Sequence, residues 1–525
     1  MGYTPENNPY IPGDPYSYDL KWIIQQIKAW KDPEASAAQA KASAEAAAAS
    51  ATEAASYAAM VQNIVITPEM YGAVGDGVTD DTAAVQAAID DELPIYVSQN
   101  YLVSGITCAH DLFMFGPGSF KASTPVIKLF DITGNNIYID GITVDGQALV
   151  AQLITANGSG NATIINCIAH NTNNDQIVPV SACDGILISG YAKITVENCK
   201  VYDINRTNTN PGIISSVGIV AQTDGQAIIV NNYIENVACS QETTDCDGIY
   251  VTAASSPITD PPTVATIENN IIIDPTGRFV KTQCKVATIK NNKCELINCT
   301  SGLFFKAFDF QWGGGEASDN DISFGNKIGS SSMFVHADYN INQNRTLRIV
   351  GNKLSDFGGN LRSLFHADGS TVNGIVEVSN NIAIGTVVYY ALNLQSTNAP
   401  ELQFICKKNE APWYRFINTS LSDLTKVYLN ITDNICTYSS RPPIFTGAVS
   451  CNNIVLKNNV NFGVLTNTTV TLQATGNCEF THSAANSYIT NYPGTLGARA
   501  WIKQVDYDRV IYADLTNAAT GVFSI

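Results

Sequence analysis

A chain of 525 residues with 29 Lys and Arg against 47 Asp and Glu carries a formal net charge of -18. That balance excludes a nucleic-acid backbone as partner, because phosphate binding needs clustered Lys and Arg. A single core stops growing well below this length unless it is built by repetition, so repeats are the first thing to look for. No apolar run is long enough to span a bilayer, and the start "MGYTPENNPYIPGDPYSYDL" shows no basic region followed by an apolar stretch, so neither a membrane span nor a secretory signal is expected. The 13 cysteines are odd in number and scattered, which reads as small buried hydrophobes in a protein folded in a cytosol.

In chain order, residues 1–33 form a leader. Its first part is rich in Pro, Tyr and Asn and is expected to be extended. Leu20, Ile23, Ile24, Ile27 and Trp30 then recur at helical spacing up to the stop at Pro33. The apolar face of this short helix either packs on its own protein or docks into a larger assembly. Residues 34–63 are nearly all Ala and Ser, with strong helix propensity and no bulky core. A heptad register puts Ala37, Ala44, Ala51 and Ala58 on one seam position and Ala40, Ala47, Ala54 and Val61 on the other, as in a slender coiled-coil stalk. A solvated single helix is the other reading.

Next comes "MYGAVGDGVTDDTAAVQAAID", a glycine- and aspartate-rich turn ahead of one short amphipathic helix. Asp80 or Asp81 is expected near its positive end, with Val85, Ala88 and Ile89 on one side. Behind it a small pattern recurs: an alternating apolar strand, an Asn-Asn or similar pair, another strand. The first positions of the pairs are Asn135, Asn166, Asn198, Asn231, Asn269, Asn291, Asp319, Gly351, Asn380, Lys408, Asp433 and Asn458. Separations run from 22 (291 minus 269) to 38 (269 minus 231), as in a solenoid whose turns carry loops of different length. Val, Ile and Thr suit the strands, and Asn suits corners that need left-handed backbone. Stacked turns would let the Asn side chains hydrogen-bond along the stack. The expected fold is all-β, a right-handed parallel β-helix over residues 64–485, with the short helix as the lid on its open first turn. Residues 486–525 lose the pattern and are expected to form a terminal cap or a trimerisation tail.

With these residues in view, the chain resembles the pectate-lyase-like superfamily of right-handed β-helices, whose N-terminal signature is similar to "YGAVGDGVTDDTAAVQAAID". Joined to the leader and the alanine-rich segment, it resembles trimeric bacteriophage tailspikes and tail fibres. The resemblance implies a homotrimer in the virion, assembled in the host cytoplasm. It also implies contact with other tail or portal proteins through residues 1–33, and a bacterial surface polysaccharide as the ligand.

Candidate chemistry comes from aligning the strand that opens each turn: "DGILIS", "VGIVAQ", "DGIYVT", "GRFVKT", "GLFFKA", "MFVHAD" and "SLFHAD". In this alignment Lys281, Lys306, His336 and His366 take equivalent outward positions in successive turns. Asp338 and Asp368 lie two residues beyond the histidines on the same face. Such a polar stripe suits an extended, acidic polymer.

Two carboxylate pairs are candidates for glycoside cleavage. Asp184 and Asp247, which with Asp245 open equivalent strands, should lie two turns apart at about 9 to 10 Å, near the upper limit for an inverting pair. Strict alternation would turn them inward, and Asp-Gly is also ordinary turn chemistry. Asp338 and Asp368, in adjacent turns at about 5 Å, match the closer spacing of a retaining pair.

"GRFVKTQ" resembles the Arg-x-Lys element with which polygalacturonases hold a sugar carboxylate, which gives Arg278 and Lys281 that role by resemblance. An extra residue separates the two here, and the Gly-His-Gly element of those enzymes is absent. Tyr250, Phe304, Phe334 and Trp312 are aromatic candidates for stacking on sugar faces or for packing under a neighbouring loop. His110, His170 and His482 stand alone, and neither a metal site nor a cofactor is expected. A non-catalytic receptor-binding fibre and a stand-alone polysaccharide lyase or hydrolase are the competing readings; in the latter the first 61 residues are superfluous.

Overall fold

The computed structural model describes residues 65–173, 182–206, 215–239, 245–255, 263–299, 304–338, 344–358, 361–369, 373–396, 402–419, 423–437 and 450–459, together with strands Cys478–His482, Tyr488–Tyr492, Arg499–Gln504, Arg509–Asp514 and Gly521–Ser524. The leader and the alanine-rich segment lie outside the described residues, as do their docking and coiled-coil readings. Among the described residues no helix is long and apolar enough to cross a membrane.

From Ile66 on, the chain winds as a right-handed parallel β-helix with three sheets. Every third strand in sequence pairs with its predecessor. Fourteen strands from Asp76–Asp80 to Ile435–Cys436 form one sheet, and twelve from Ile106–Cys108 to Ile417–Thr419 form another. The third starts at Ile95–Tyr96 and stacks in parallel through Cys478–His482 to Arg499–Gln504. It ends in an antiparallel pairing with Arg509–Asp514.

The alternating sequence of the strands explains the interior. In Asn161–Ile165 and Lys193–Glu197, Ala162, Ile164, Ile194 and Val196 are sealed in the core, while the residues between them face outward. Eight cysteines, among them Cys167, Cys199, Cys294 and Cys406, are buried free thiols, as a hydrophobe reading requires. Cys246 departs from that reading because it is disulfide-bonded.

The Asn pairs divide their work between two positions. Ten of the twelve first positions, from Asn166 to Asp433, have φ between 54° and 71°. The corner is therefore left-handed, where Asn, Asp and Gly are tolerated best. The second positions build the buried column. Asn232, Asn270, Asn292, Asn320, Asn352, Asn381, Asn409, Asn434 and Asn459 are stacked, and each Nδ2 from Asn232 to Asn434 donates to the next Oδ1. The same Oδ1 also accepts the backbone N–H of the preceding Asn, and the same Nδ2 donates to a backbone carbonyl, as in Asn352 Nδ2 to Ala317 O at 2.9 Å. Polar groups at a corner buried from water are satisfied in this way, turn after turn.

The opening motif forms the lid. Asp81 is buried, and its carboxylate accepts the N–H groups of Val74 (2.7 Å) and Gly75 (3.1 Å), which ties the glycine-rich turn to the helix start. Asp80, not Asp81, takes a helix N–H with its side chain, that of Thr82 at 3.0 Å. The helix Thr82–Asp90 buries Val85, Ala88 and Ile89. Its Gln86 accepts the N–H of Thr107 (3.0 Å) and donates to the Thr107 carbonyl (2.7 Å), so the first strand of the twelve-stranded sheet does not present an open edge.

Candidate functional site

The twelve-stranded sheet carries the charged groups, and its strands share one local rule. Two consecutive residues belong to the apolar core and the residues on either side lie outside that core, though nearly all are shielded from solvent: Phe279 and Val280 between Arg278 and Lys281, Ala307 and Phe308 between Lys306 and Asp309, Phe334 and Val335 between Met333 and His336, Leu364 and Phe365 between Ser363 and His366. In the earlier turns Gly185, Gly218 and Gly248 take the first core position. A Cβ at Gly248 would stand 2.6 Å from the Ile272 side chain and 2.8 Å from Phe279 O. The glycine is required by this close approach, while the two-residue core step shared with the later turns keeps Asp184 and Asp247 out of the core, which resolves their parity. A Gly248→Ala protein is expected to lose about 2 kcal/mol of stability from overpacking; a denaturation midpoint equal to that of the parent would contradict the close approach.

Parallel pairing then gives three rows. The first runs Gln152, Asp184, Val217, Asp247, Arg278, Lys306, Met333, Ser363. The second runs Tyr250, Lys281, Asp309, His336, His366, Asn393, Asn418. The third runs Gln311, Asp338, Asp368, Gln395, and is extended by Gln283, which pairs with Thr252 and donates to Gln311 Oε1 at 2.7 Å.

Asp184 and Asp247 thus occupy equivalent positions two turns apart, as expected, and Asp338 is in register with Asp368. One expectation is corrected. Lys306 is not equivalent to Lys281: it pairs with Arg278, and Asp309, which sequence alignment passed over, stands beside Lys281. Matching lysine to lysine slid that strand by three residues, whereas the two-residue core step places Asp309. Asp245 pairs with Ser215 at the strand start.

Among these groups Asp309 is the hub. Its carboxylate is fully buried and meets His336 Nδ1 at 2.7 Å, Arg278 Nη1 at 3.4 Å, Lys306 Nζ at 3.6 Å and Gln311 Nε2 at 3.1 Å. Burial opposes its charge, but these cations hold it well below the usual carboxylate range. Arg278 Nε also donates to Asp247 Oδ1 at 2.8 Å, so one guanidinium spans two carboxylates. Burial pushes Asp247 up to about 7 against the opposing pull of Lys281, and its Oδ2 is sealed without a hydrogen bond. Asp184 is likewise pushed up to about 7 by burial, with Gln152 Nε2 donating to it at 2.7 Å.

His336 Nε2 lies 3.1 Å from Asp368 Oδ2, and His366 Nε2 lies 3.8 Å from the same oxygen. Burial opposes its charge, but the hydrogen bonds and charges of the two imidazoles together hold Asp368 well below its ordinary range, and 45% of its side chain is exposed. Lys281 Nζ sits 4.8 Å above the Tyr250 ring, whose hydroxyl bonds Gln283.

Trp312, partly exposed with φ 71°, lies in the bend directly after Gln311 at the edge of this face. Phe304 is 48% exposed, but Phe334 is fully buried, one of the two core residues of its strand and not a platform for a sugar. Among the lone histidines, His170 is partly buried, stacked on Tyr202 at 4.6 Å.

Residues 129–308 match the family described as right handed beta helix region. The preneck appendage protein of Bacillus phage PZA is 26% identical over 147 residues, 27% of this chain and 16% of that protein, so the match spans well under two thirds of the relative. The Streptococcus pneumoniae surface protein and adhesin PfbA superposes with a TM-score of 0.45 and 14% identity over 68% of this chain and 98% of the adhesin. The tailspike protein gp49 of Pseudomonas phage LKA1 gives 0.34 and 11% over 78% of this chain and 83% of the tailspike. The chain is a right-handed parallel β-helix protein, similar in part of its sequence to a phage appendage protein.

Proposed function

We propose that this protein is a virion tail component that binds a bacterial surface polysaccharide along the charged face of the twelve-stranded sheet and depolymerises it. The observation that carries this reading is the outer row Gln283, Gln311, Asp338, Asp368 and Gln395, most of it partly exposed, with Tyr250 ahead of it and the buried Lys281, Asp309, His336, His366 and Asn393 as the row that backs it. Six in-register strands cover about 24 Å, at about 4.8 Å each. That is the footprint of several linked sugars and not of a small molecule. Chemistry supports the same choice: the outer row combines amides and carboxylates, which orient hydroxyl groups, while the buried imidazoles behind it fix Asp368. Lys281 on Tyr250 and Trp312 at the edge offer stacking surfaces. A trimer, with residues 1–33 reaching other virion proteins, completes this reading and follows the similarity to phage appendages.

For cleavage, the carboxylates divide by access. Asp184 and Asp247 are sealed, 4% and 0% exposed, so neither can reach a glycosidic oxygen or its water. Asp338 and Asp368, neighbours in register at about 5 Å, are partly open to solvent and have the spacing of a retaining pair.

Purified protein incubated with capsule and lipopolysaccharide from candidate hosts is expected to release saturated oligosaccharides. Asp338→Asn is expected to lower that release at least 100-fold while binding survives. Lys281→Ala is expected to weaken binding about 10-fold. Unsaturated ends would replace hydrolysis by elimination. Binding without fragments would leave a recognition fibre, and absence of binding to a polysaccharide proven to be the receptor would sink the reading.

A further inference from the structure

His336, His366 and Asp368 place one potential ligand atom each within 4.8 Å of one another. The two rings stack, with centroids 5.5 Å apart and planes 24° from parallel, so both Nε2 atoms face the same Asp368 oxygen, at 3.1 and 3.8 Å. Behind the rings, each Nδ1 is engaged: that of His336 by Asp309 Oδ1 at 2.7 Å, that of His366 by the Asn393 amide at 2.7 Å. An imidazole that ligates metal donates its far N–H to an outer carboxylate, carbonyl or water; Asp309 holds His336 in this way, whereas His366 Nδ1 faces the donor Nδ2 of Asn393. The rear is closed, because the side chains of His336 and His366 are only 3% and 5% exposed; the front is open at Asp368.

We propose that this cluster binds one divalent transition ion of the Zn²⁺ type, with His336 Nε2, His366 Nε2 and Asp368 Oδ2 as ligands and Asp309 and Asn393 as the groups that orient the rings. Two imidazoles with one carboxylate select such an ion over Ca²⁺ or Mg²⁺, which demand oxygen ligands. Bonds of about 2.0–2.2 Å put ligand atoms up to roughly 4 Å apart. The observed 3.1 and 3.8 Å separations already fit, and the remaining pair needs a ring swing of about 1 Å at most.

One rearrangement is required. Asn393 Nδ2 faces His366, while its Oδ1 accepts from Gln395 Nε2 (3.0 Å) and Asn418 Nδ2 (2.8 Å). With the ion on Nε2, the His366 proton moves to Nδ1, and Asn393 turns its amide over to accept it. Gln395 and Asn418 turn over with it, a change of amide orientation that leaves the heavy-atom frame in place. Lys306 Nζ, 3.2 Å from His336 Nδ1 and 3.6 Å from Asp309, stays on the rear side as partner of Asp309.

The ion goes beyond the glycan reading and bears on its chemistry: with Asp368 as a ligand, Asp338 and Asp368 cannot act as a retaining pair, so binding of the polysaccharide is compatible with the ion and cleavage by that pair is not.

The test uses the untagged full chain, dialysed against Zn²⁺ at neutral pH and measured for metal content. The expected result is one Zn²⁺ per chain in the parent and in His170→Ala, and at least 10-fold weaker retention in His366→Ala and Asp368→Asn. Equal retention in the parent and in His366→Ala would overturn the proposal. Should those variants fail to fold, the parent loaded with Co²⁺ decides alone: intense visible bands of a four- or five-coordinate ion with nitrogen ligands support the site, and the weak spectrum of the hydrated ion overturns it.

Discussion

Replacing Asn352 by alanine is expected to lower the stability of the β-helix by about 4 kcal/mol, read as an earlier unfolding midpoint in urea at unchanged slope. The size follows from what is orphaned. Asn352 Oδ1 accepts both the backbone N–H (3.1 Å) and the Nδ2 (2.8 Å) of Asn320, and its own Nδ2 donates to Ala317 O and Asn381 Oδ1, each at 2.9 Å. Alanine removes all four bonds. Ala317 O can be served by other groups, and Asn381 Oδ1 loses only one of its donors, since the Asn352 N–H (3.0 Å) is kept. The two donors of Asn320 are left in a site where Asn320 is 1% exposed, at about 1–3 kcal/mol each. By contrast Asn380→Gly, at a corner with φ 55°, is expected to change stability by less than about 1 kcal/mol, because glycine enters left-handed backbone freely. A loss below about 1 kcal/mol for Asn352→Ala would show that the column is not a determinant of stability.

Asp184→Asn is expected to act in the other direction, and only at the higher pH values. The carboxyl is 4% exposed, and burial moves it from 3.8 up to about 7. Below about pH 4 it is protonated folded or unfolded, and ionisation does not separate the two proteins. Between about 4 and 7 the unfolded chain gives up its proton and the folded chain resists, so parent stability falls as pH rises. Above 7 the full difference, ~4 kcal/mol at 1.36 kcal/mol per pH unit, has been lost. Asparagine keeps an oxygen for Gln152 and removes the ionisation, although its added N–H₂ gives back about 1 kcal/mol of that gain. Thermal midpoints taken at one scan rate should place the variant slightly below the parent near pH 4 and above it by pH 8. A variant that is less stable at pH 8 would mean that the ionised carboxylate has a favourable partner.

Much of this architecture was legible because a solenoid repeats its physics. The corner pair was visible as Asn-Asn, and the lid as "DDTAAVQAAID" with Val85, Ala88 and Ile89 on one side. The division of labour inside the pair was not visible, because two adjacent asparagines look alike in sequence while one sets backbone geometry and the other fills the column.

Asp309 was passed over for a different reason. Lys306 falls at the same distance from a preceding glycine as Lys281 does, and charge type was matched before core residues. The readable signal was a polar residue after two buried apolar ones: "RFVK", "KAFD", "MFVH", "SLFH". Applied along the chain, it places Lys281, Asp309, His336 and His366 in one row.

The asparagine column also has a direction. Each side-chain carbonyl points back toward the preceding turn and each amide toward the next, so the group dipoles add along the axis instead of cancelling as neighbouring peptide dipoles do in a sheet. The solenoid is thereby an electrically polarised rod. Each turn that joins meets a pre-aligned donor at the growing end, so winding from the lid toward the far end and winding in reverse are not equivalent processes.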